Sequence, residues 1–337
     1  KGPAKIIRDD GNYVPGWFES FVGEHNFQEA ACSGRRFQKW FHVHFETPDY
    51  FIVANIADLN LGGNVALLVH DKSSGETKKS SKTYYLGLNR IQTDKQNMHF
   101  RDPVTHSEIR LNAAGEVFFQ ISTPDMTLRG EAEECMGKPF TQSTLYSEGM
   151  GTLQWWGNLK LRRGELTMEA ETLSLPPGCL GAYDRTVGHR PQKQNWNWLS
   201  VVGDALDEQS GQLVSFSLQV SKERELAQPR IDSKKYNLWV NGEHRKFSDL
   251  SLEYTSNPKT KKSGDWVILA VGEDESLALR FAPRTHRREE KRLPLVLDVD
   301  FNQYYGTVSG FFTRRGRRFR VDSTFAVAEE SRMVFKI

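Results

Sequence analysis

Along much of this chain, apolar and polar residues alternate with the period of two that marks a β-strand with one buried face. In Phe37 to Glu46, the residues Phe41, Val43 and Phe45 share one face, and Trp40, His42 and His44 share the other. Tyr50 to Ala57 follows after the breaker Thr47-Pro48-Asp49. Val65 to His70 comes after the turn Leu61-Gly62-Gly63-Asn64. Lys82 to Leu88 lies beyond a Lys-rich polar tip at Asp71 to Ser81. Further strands are expected at Glu108 to Leu111, Glu116 to Ile121, Met126 to Ala132, Leu153 to Leu161 and Glu165 to Leu173. Asn112-Ala113-Ala114-Gly115 joins the first two of these, and Arg162-Arg163-Gly164 the last two. Residues 1 to 36 read as an irregular lead-in whose aromatic cluster, Trp17, Phe18 and Phe21, would close one end of a barrel.

The sharp break Leu175-Pro176-Pro177-Gly178 is taken as a domain boundary, giving units of 1–176 and 177–337. The second half repeats the style of the first. Its expected strands are Leu213 to Val220, Tyr236 to Val240, Leu250 to Tyr254, Trp266 to Val271, Leu277 to Phe281, Leu295 to Asp300, Tyr305 to Phe312 and Arg318 to Thr324. Asn241-Gly242 is a favoured hairpin turn. Many short strands at regular spacing predict an all-β chain of barrels or sandwiches. No long stretch combines helical period with caps, so a doubly wound α/β fold is disfavoured.

Composition narrows the picture. The chain has 337 residues, 38% of them hydrophobic and 11% aromatic, enough to fill two ordinary β cores. The net charge of +2 argues against a nucleic-acid binder, which would carry a basic excess. Cys32, Cys135 and Cys179 are too few and too scattered for a disulfide framework or a Cys-rich metal site. That usage suits a reducing compartment, the cytoplasm, although a start at Lys1 leaves room for a removed targeting segment. No apolar run reaches the length of a membrane span.

One segment concentrates chemistry. Tyr183-Asp184-Arg185-Thr186-Val187-Gly188-His189-Arg190-Pro191 runs into Asn195-Trp196-Asn197-Trp198. Asp184 and Thr186 would share one strand face, Trp196 and Trp198 another, with Gly188 and Pro191 placing a turn between them. A loop of this kind sets a carboxyl and an imidazole beside an indole wall. Desolvation there would move a carboxyl toward the working range of a general acid. The structural alternative is a core Trp pair with an Asp–Arg ion pair.

The same stretch, GAYDRTVGHRPQKQNWNWLS, resembles the signature of a lipocalin-like family of unknown function, in which Asp-x-Thr-x-Gly runs into Trp-x-Trp. FHVHFETPDYFIVANIADLN is similar to that family's opening strands. NLWVNGEHRKF, DWVILAVGEDESLALRFAP and FNQYYGTVSGFF are similar to its later ones. The family is related to the AttH and carotenoid 1,2-hydratase group. The resemblance therefore implies two lipocalin-like, calycin-type antiparallel barrels, or strongly curved sheets, packed together. It also implies hydratase chemistry, in which an acidic residue protonates an alkene and water captures the cation. Asp184 with Tyr183 is the nearest match to the family's Tyr-x-Asp acid. The upstream His-x-Trp is matched in this chain by Gln154-Trp155-Trp156, which has the Trp and lacks the His. The same barrel type serves cyclases and Diels–Alder-type catalysts.

Three other constellations carry alternatives. His42 and His44 on one face could begin a metal site or, beside Trp40, line a pocket. Asp298 and Asp300 near Tyr304 and Tyr305 could pair as acid and base, or be solvated turn residues. The basic loops Arg284 to Arg288 and Arg314 to Arg318, the second centred on Gly316, would suit peripheral contact with anionic lipid heads or simply a charged edge. No phosphate loop, serine elbow or zincin motif is present.

These readings leave three function classes. The first is a cofactor-independent lyase or isomerase of hydratase or cyclase type, acting on a small apolar, terpenoid or polyene molecule in a β-barrel cavity. There Asp184 would donate the proton, and Tyr183 or His189 would position it. Trp156, Trp196, Trp198, Trp155, Gln154, Trp40, His42, His44 and Tyr305 would line the pocket. The second is a non-catalytic binder of a hydrophobic ligand. The third is a carbohydrate-active enzyme.

Overall fold

The computed structural model describes residues 3–18, 23–32, 37–60, 62–85, 91–94, 98–147, 149–223, 235–247, 249–256 and 263–336. Within them the chain is all-β: two curled antiparallel sheets form half-barrels, with one short 3-10 turn at Phe27–Glu29. The chain divides into a unit ending at Pro191 and a unit beginning at Gln192.

The first sheet is built from β1 (Gly16–Phe18), β2 (Phe37–Glu46), β3 (Tyr50–Asp58), β4 (Gly62–Asp71), β5 (Thr77–Tyr85), β6 (Gln92–Thr93), β7 (His99–Asp102), β8 (Ser107–Leu111), β9 (Glu116–Ser122), β10 (Met126–Ser147), β11 (Met150–Met168), β12 (Glu171–Leu175) and β13 (Leu180–His189). Their hydrogen-bonded order is β5-β4-β3-β2-β13-β11-β10-β9-β8-β7-β6, with β1 on β10 and β12 on β11. The sheet curls until strands remote in this order meet: β4 touches β9 and β10, and β3 touches β7 and β8. Phe41, Val43, Phe45, Ile52, Ile56, Leu67, Phe119, Leu128, Leu153 and Val187 fill the interior that results. Ile6, Ile7 and Tyr13 of the lead-in are wholly buried in the same core.

The second sheet contains β14 (Lys193–Asp207), β15 (Leu213–Glu223), β16 (Lys235–Val240), β17 (Glu243–Lys246), β18 (Asp249–Ser256), β19 (Ser263–Val271), β20 (Glu275–Leu293), β21 (Leu297–Arg314) and β22 (Arg317–Phe335). Its order is β17-β16-β15-β14-β22-β21-β20-β19-β18. Leu199, Val201, Phe216, Leu218, Leu238, Trp266, Ile268, Phe281, Tyr304 and Val308 form its own core.

Several strand expectations change. The break at Leu175 to Gly178 is a turn inside the first unit, because β13 beyond it pairs with both β11 and β2. The contact division falls fifteen residues later than the break. The expected loop from Tyr183 to Trp198 is two long strands of different sheets, joined through Arg190 to Gln192. Arg162-Arg163-Gly164 does not turn the chain; a bulge there lets β11 run on against β10. The basic stretch Arg284 to Arg288 lies within β20 and pairs with β21. Part of the lead-in is ordered as β1 and the 3-10 turn. Phe21 and residues 86–88 of the expected Lys82 to Leu88 strand lie outside the described residues. The tight hairpins stand as expected: Asn241 and Gly242 adopt φ of 48° and 81°, and Arg315 and Gly316 adopt 47° and 74°.

Candidate functional site

β13 is covered on both of its faces. Its odd-numbered residues, Tyr183, Arg185, Val187 and His189, point to the core side, and its even-numbered residues point the other way. On that second face the register sets Asp184 between His42 of β2 and Trp156 of β11, and Thr186 between Trp40 and Gln154. Ala182 stands between His44 and Asn158, and Gly188 between Gln38 and Thr152. Phe140, Gln142 and Thr144 of β10 continue these rows. Instead of apolar side chains, the face presents a buried polar patch: Gln38, His42, His44, Gln142, Thr144, Thr152, Gln154, Asn158, Asp184 and Thr186 are all buried.

Asp184 is the carboxyl of this patch. The Thr186 hydroxyl donates to its Oδ1 at 2.9 Å, and the Gln154 amide donates to both of its oxygens at 3.3 Å. Burial holds the His42 imidazole down to about 3, and burial with the neighbouring His42 holds His44 well below the usual histidine range. Both are therefore neutral at physiological pH, with ring centroids 5.6 Å apart. Phe140 stacks between Trp156, at 6.3 Å, and the exposed Trp17, at 6.0 Å, so a row of rings runs from the surface to the neighbour of Asp184. The Arg190 cation lies over Trp40 at 5.1 Å and over Tyr146 at 5.9 Å.

Of the other residues expected at the site, Tyr183, Trp155 and His189 lie on the opposite, core-facing side of the first sheet, and Trp196, Trp198 and Tyr305 lie in the second unit. Tyr183 is next to Asp184 in sequence but on the opposite face, where its hydroxyl donates to Glu134 at 2.6 Å. Gly157 makes room for its ring, since a Cβ there would lie 2.5 Å from the ring. Burial raises both the Tyr183 phenol and the Glu134 carboxyl. Trp155 also faces the core, 3.7 Å beneath the Arg185 guanidinium, whose own ionisation burial lowers to about 10. His189 meets the Tyr13 hydroxyl at 2.8 Å on the same side, and burial lowers it to about 4. Trp196, Trp198 and Tyr305 belong to the second unit, on the face of its sheet turned away from its core. There Trp196 donates to Glu329, and Tyr305 donates to Gln303.

Of the expected residues in the first unit, then, Asp184, Gln154, Trp156, Trp40, His42 and His44 share one face. Phe140, Gln38, Gln142, Asn158 and Trp17 join them without having been expected. The alternation of Thr152, Gln154, Trp156 and Asn158 with Leu153, Trp155, Gly157 and Leu159 is the sequence signal that exposes part of this set. Asp298 and Asp300 take part in ion pairs with Arg292 and Arg288, at 3.9 and 3.2 Å. Arg314 and Arg315 contact Glu243, Arg317 contacts Asp207, and Arg318 contacts Glu208. Among the described residues, no three His, Cys, Asp or Glu side chains cluster to hold a metal, and no helix is long and apolar enough to cross a membrane.

The class is thus an all-β protein of two curled antiparallel half-barrels, the first of which carries a carboxyl on a buried polar face. The chain belongs to the family described as domain of unknown function DUF2804, which it matches over residues 1–335. Its fold is similar to that of a candidate AttH from Nitrosomonas europaea, with 14% identity and a TM-score of 0.52, covering 91% of this chain and 96% of that one. It is also similar to CghA determined with Sch210972, with 10% identity and a TM-score of 0.56 over 99% and 97% of the two chains. Kievitone hydratase from Nectria haematococca matches at 12% identity and a TM-score of 0.47, over 88% of each chain. No curated protein matches the sequence.

Proposed function

We propose that this chain is a lyase or isomerase of hydratase or cyclase type, with Asp184 as its proton donor. The observation that carries the reading is the setting of Asp184: a buried carboxyl between an imidazole and an indole, held by a hydroxyl and an amide. The Gln154 amide suits both halves of a proton cycle. With its nitrogen toward Asp184 it donates to a carboxylate, and after rotation by half a turn its oxygen accepts from a carboxylic acid.

In the hydratase form, protonated Asp184 gives its proton to one alkene carbon. Water adds to the cation left on the other carbon. The proton released from that water passes to the neutral imidazole of His42 and back to Asp184. In the cyclase form, a second double bond of the substrate captures the cation, and the new cation so formed loses a proton from an adjacent carbon to the Asp184 carboxylate, giving a new double bond and restoring the acid. The face of Trp156 stabilises positive charge at that stage. Substrate, water and these side chains balance both reactions. The resemblance to the hydratase group supports the same reading, and CghA with Sch210972 is a protein of this fold with a small organic molecule.

The test is Asp184→Asn, which keeps shape and removes the proton. Small molecules that co-purify with the protein are identified by mass spectrometry and re-incubated with wild type and variant. Turnover is expected to fall by at least ~10³-fold, with the dissociation constant changed by less than ~3-fold. Unchanged turnover would remove Asp184 from the chemistry, and no turnover by the wild type would leave a ligand carrier with the same lining.

A further inference from the structure

Taking the Asp184 face as the site, we infer that its ligand is a neutral, multiply oxygenated molecule with a flat unsaturated body, not a hydrocarbon. The inference rests on hydrogen-bonding capacity left unused among the described residues. Gln154, Trp156 and Asn158 project from successive same-face positions of β11, and Thr144 faces Thr152 from β10. The indole Nε1 of Trp156, the Nδ2 and Oδ1 of Asn158, the Oε1 of Gln154 and the Oγ1 of Thr144 meet no hydrogen-bond partner among the described residues. None of these four residues exposes more than 5% of its surface. Buried polar atoms are paired in folded proteins, and each one left unpaired is costly, so a patch of them calls for a partner.

The chemistry of the patch describes that partner. It offers an indole N–H and an amide NH₂ as donors, two amide oxygens as acceptors, and a hydroxyl that can do either. Hydroxyl and carbonyl groups match this mixture; a polyene or saturated terpene matches none of it. The indole, the two amides and the hydroxyl that carry these atoms are all uncharged, so they select no net charge. The row of Trp156, Phe140 and Trp17, with successive rings tilted by 24° and 23°, provides an apolar aromatic track for a ring system or conjugated chain. The ligand body lies along the rings, and its oxygens reach Trp156, Asn158 and Gln154.

Matched pairs of probes test this with the intact chain. Equilibrium dialysis compares resveratrol with trans-stilbene, and estradiol with the corresponding steroid hydrocarbon; each pair differs only in hydroxyl groups. At least one hydroxylated probe should bind ~10-fold or more tightly than its hydrocarbon partner. Trp156→Phe keeps a ring and removes the N–H, and Asn158→Leu keeps the shape and removes the amide. Either should cut that preference several-fold. Because Asn158→Leu could disturb packing, its thermal unfolding is measured alongside, and Trp156→Phe carries the test if it does. Equal binding, tighter binding of the hydrocarbon, no binding of any probe, or a preference that survives both substitutions overturns the inference. In Asp184→Asn the two ideas separate. Lost turnover with the preference kept supports both, and turnover kept with the preference intact removes the catalytic role alone.

Discussion

His42 and His44 show what the buried polar face demands of single residues. An imidazole taken out of water favours its neutral form, and both rings are held well below their usual range by that burial. The unfolded chain titrates His42 near the ordinary value of about 6.5, whereas the folded chain does so at about 3. Between these values the unfolded state binds more protons. Stability is therefore lost as pH falls through 6.5, at roughly 1.4 kcal/mol per pH unit for each such histidine. His44 and His189 act with the same sign. Urea unfolding at pH 7.5 and pH 5 measures the loss, and His42→Asn should make it smaller by about 2 kcal/mol. An unchanged loss would mean that His42 is not held neutral in the fold. Alternation showed from the sequence that Trp40, His42 and His44 share a face, and that Asp184 shares one with Thr186. The same rule separates Tyr183 and His189 from Asp184, but it applies only once residues 180–189 are seen as a strand.

That strand is the element hardest to read. β13 packs Tyr183, Val187 and His189 together with Arg185 on one side and Asp184, Thr186 and Gly188 on the other, and nearly all of its side chains are buried. Nothing solvent-facing marks its outer positions, so its mixed composition resembles a loop. Long strands raise a different difficulty. β11 contains a bulge, and β20 and β21 shift register against each other, so β11 and β21 each read in sequence as two short strands and β20 as one short strand followed by a basic loop. The turns at Asn241-Gly242 and Arg315-Gly316 were legible because such pairs suit the positive φ of a tight hairpin, whereas Arg163-Gly164, of the same composition, lies within β11. What anchors the end of β13 is a residue from far away in sequence. The Tyr13 hydroxyl accepts from the His189 backbone N–H at 3.0 Å and bonds Nδ1 of the same residue at 2.8 Å. Tyr13→Phe leaves both groups unpaired in a buried setting and should cost about 1–3 kcal/mol in chemical denaturation. A loss below about 0.5 kcal/mol would show that the hydroxyl does not hold this strand end.

The fold class of the whole chain was legible because period-two alternation and turn residues are local and abundant. The strand order was not, since β2 lies beside β13 and β14 beside β22 through pairings that only the closed structure decides. An open sheet also has a need that no single element shows: its edges expose unpaired backbone groups and invite other chains to pair. The first sheet's order ends at β5 and β6. β5 carries Lys78, Lys79 and Lys82 along this edge; the first two fall in the stretch that reads in sequence as a solvated polar tip, and the third opens the strand expected after it. Lys78 contacts Glu169 at 3.1 Å, an exposed pair that contributes little to stability. The lysines therefore serve the molecule mainly by making strand addition costly, since a second edge strand would bring like charges together and strip their water. Replacing Lys78, Lys79 and Lys82 together by Thr keeps good strand formers and should shift stability by only about 0.5 kcal/mol per site. Light scattering over a concentration series should nevertheless show association in the variant and not in the wild type. A variant that stays as dispersed as the wild type would mean that this edge is protected by something other than its charge.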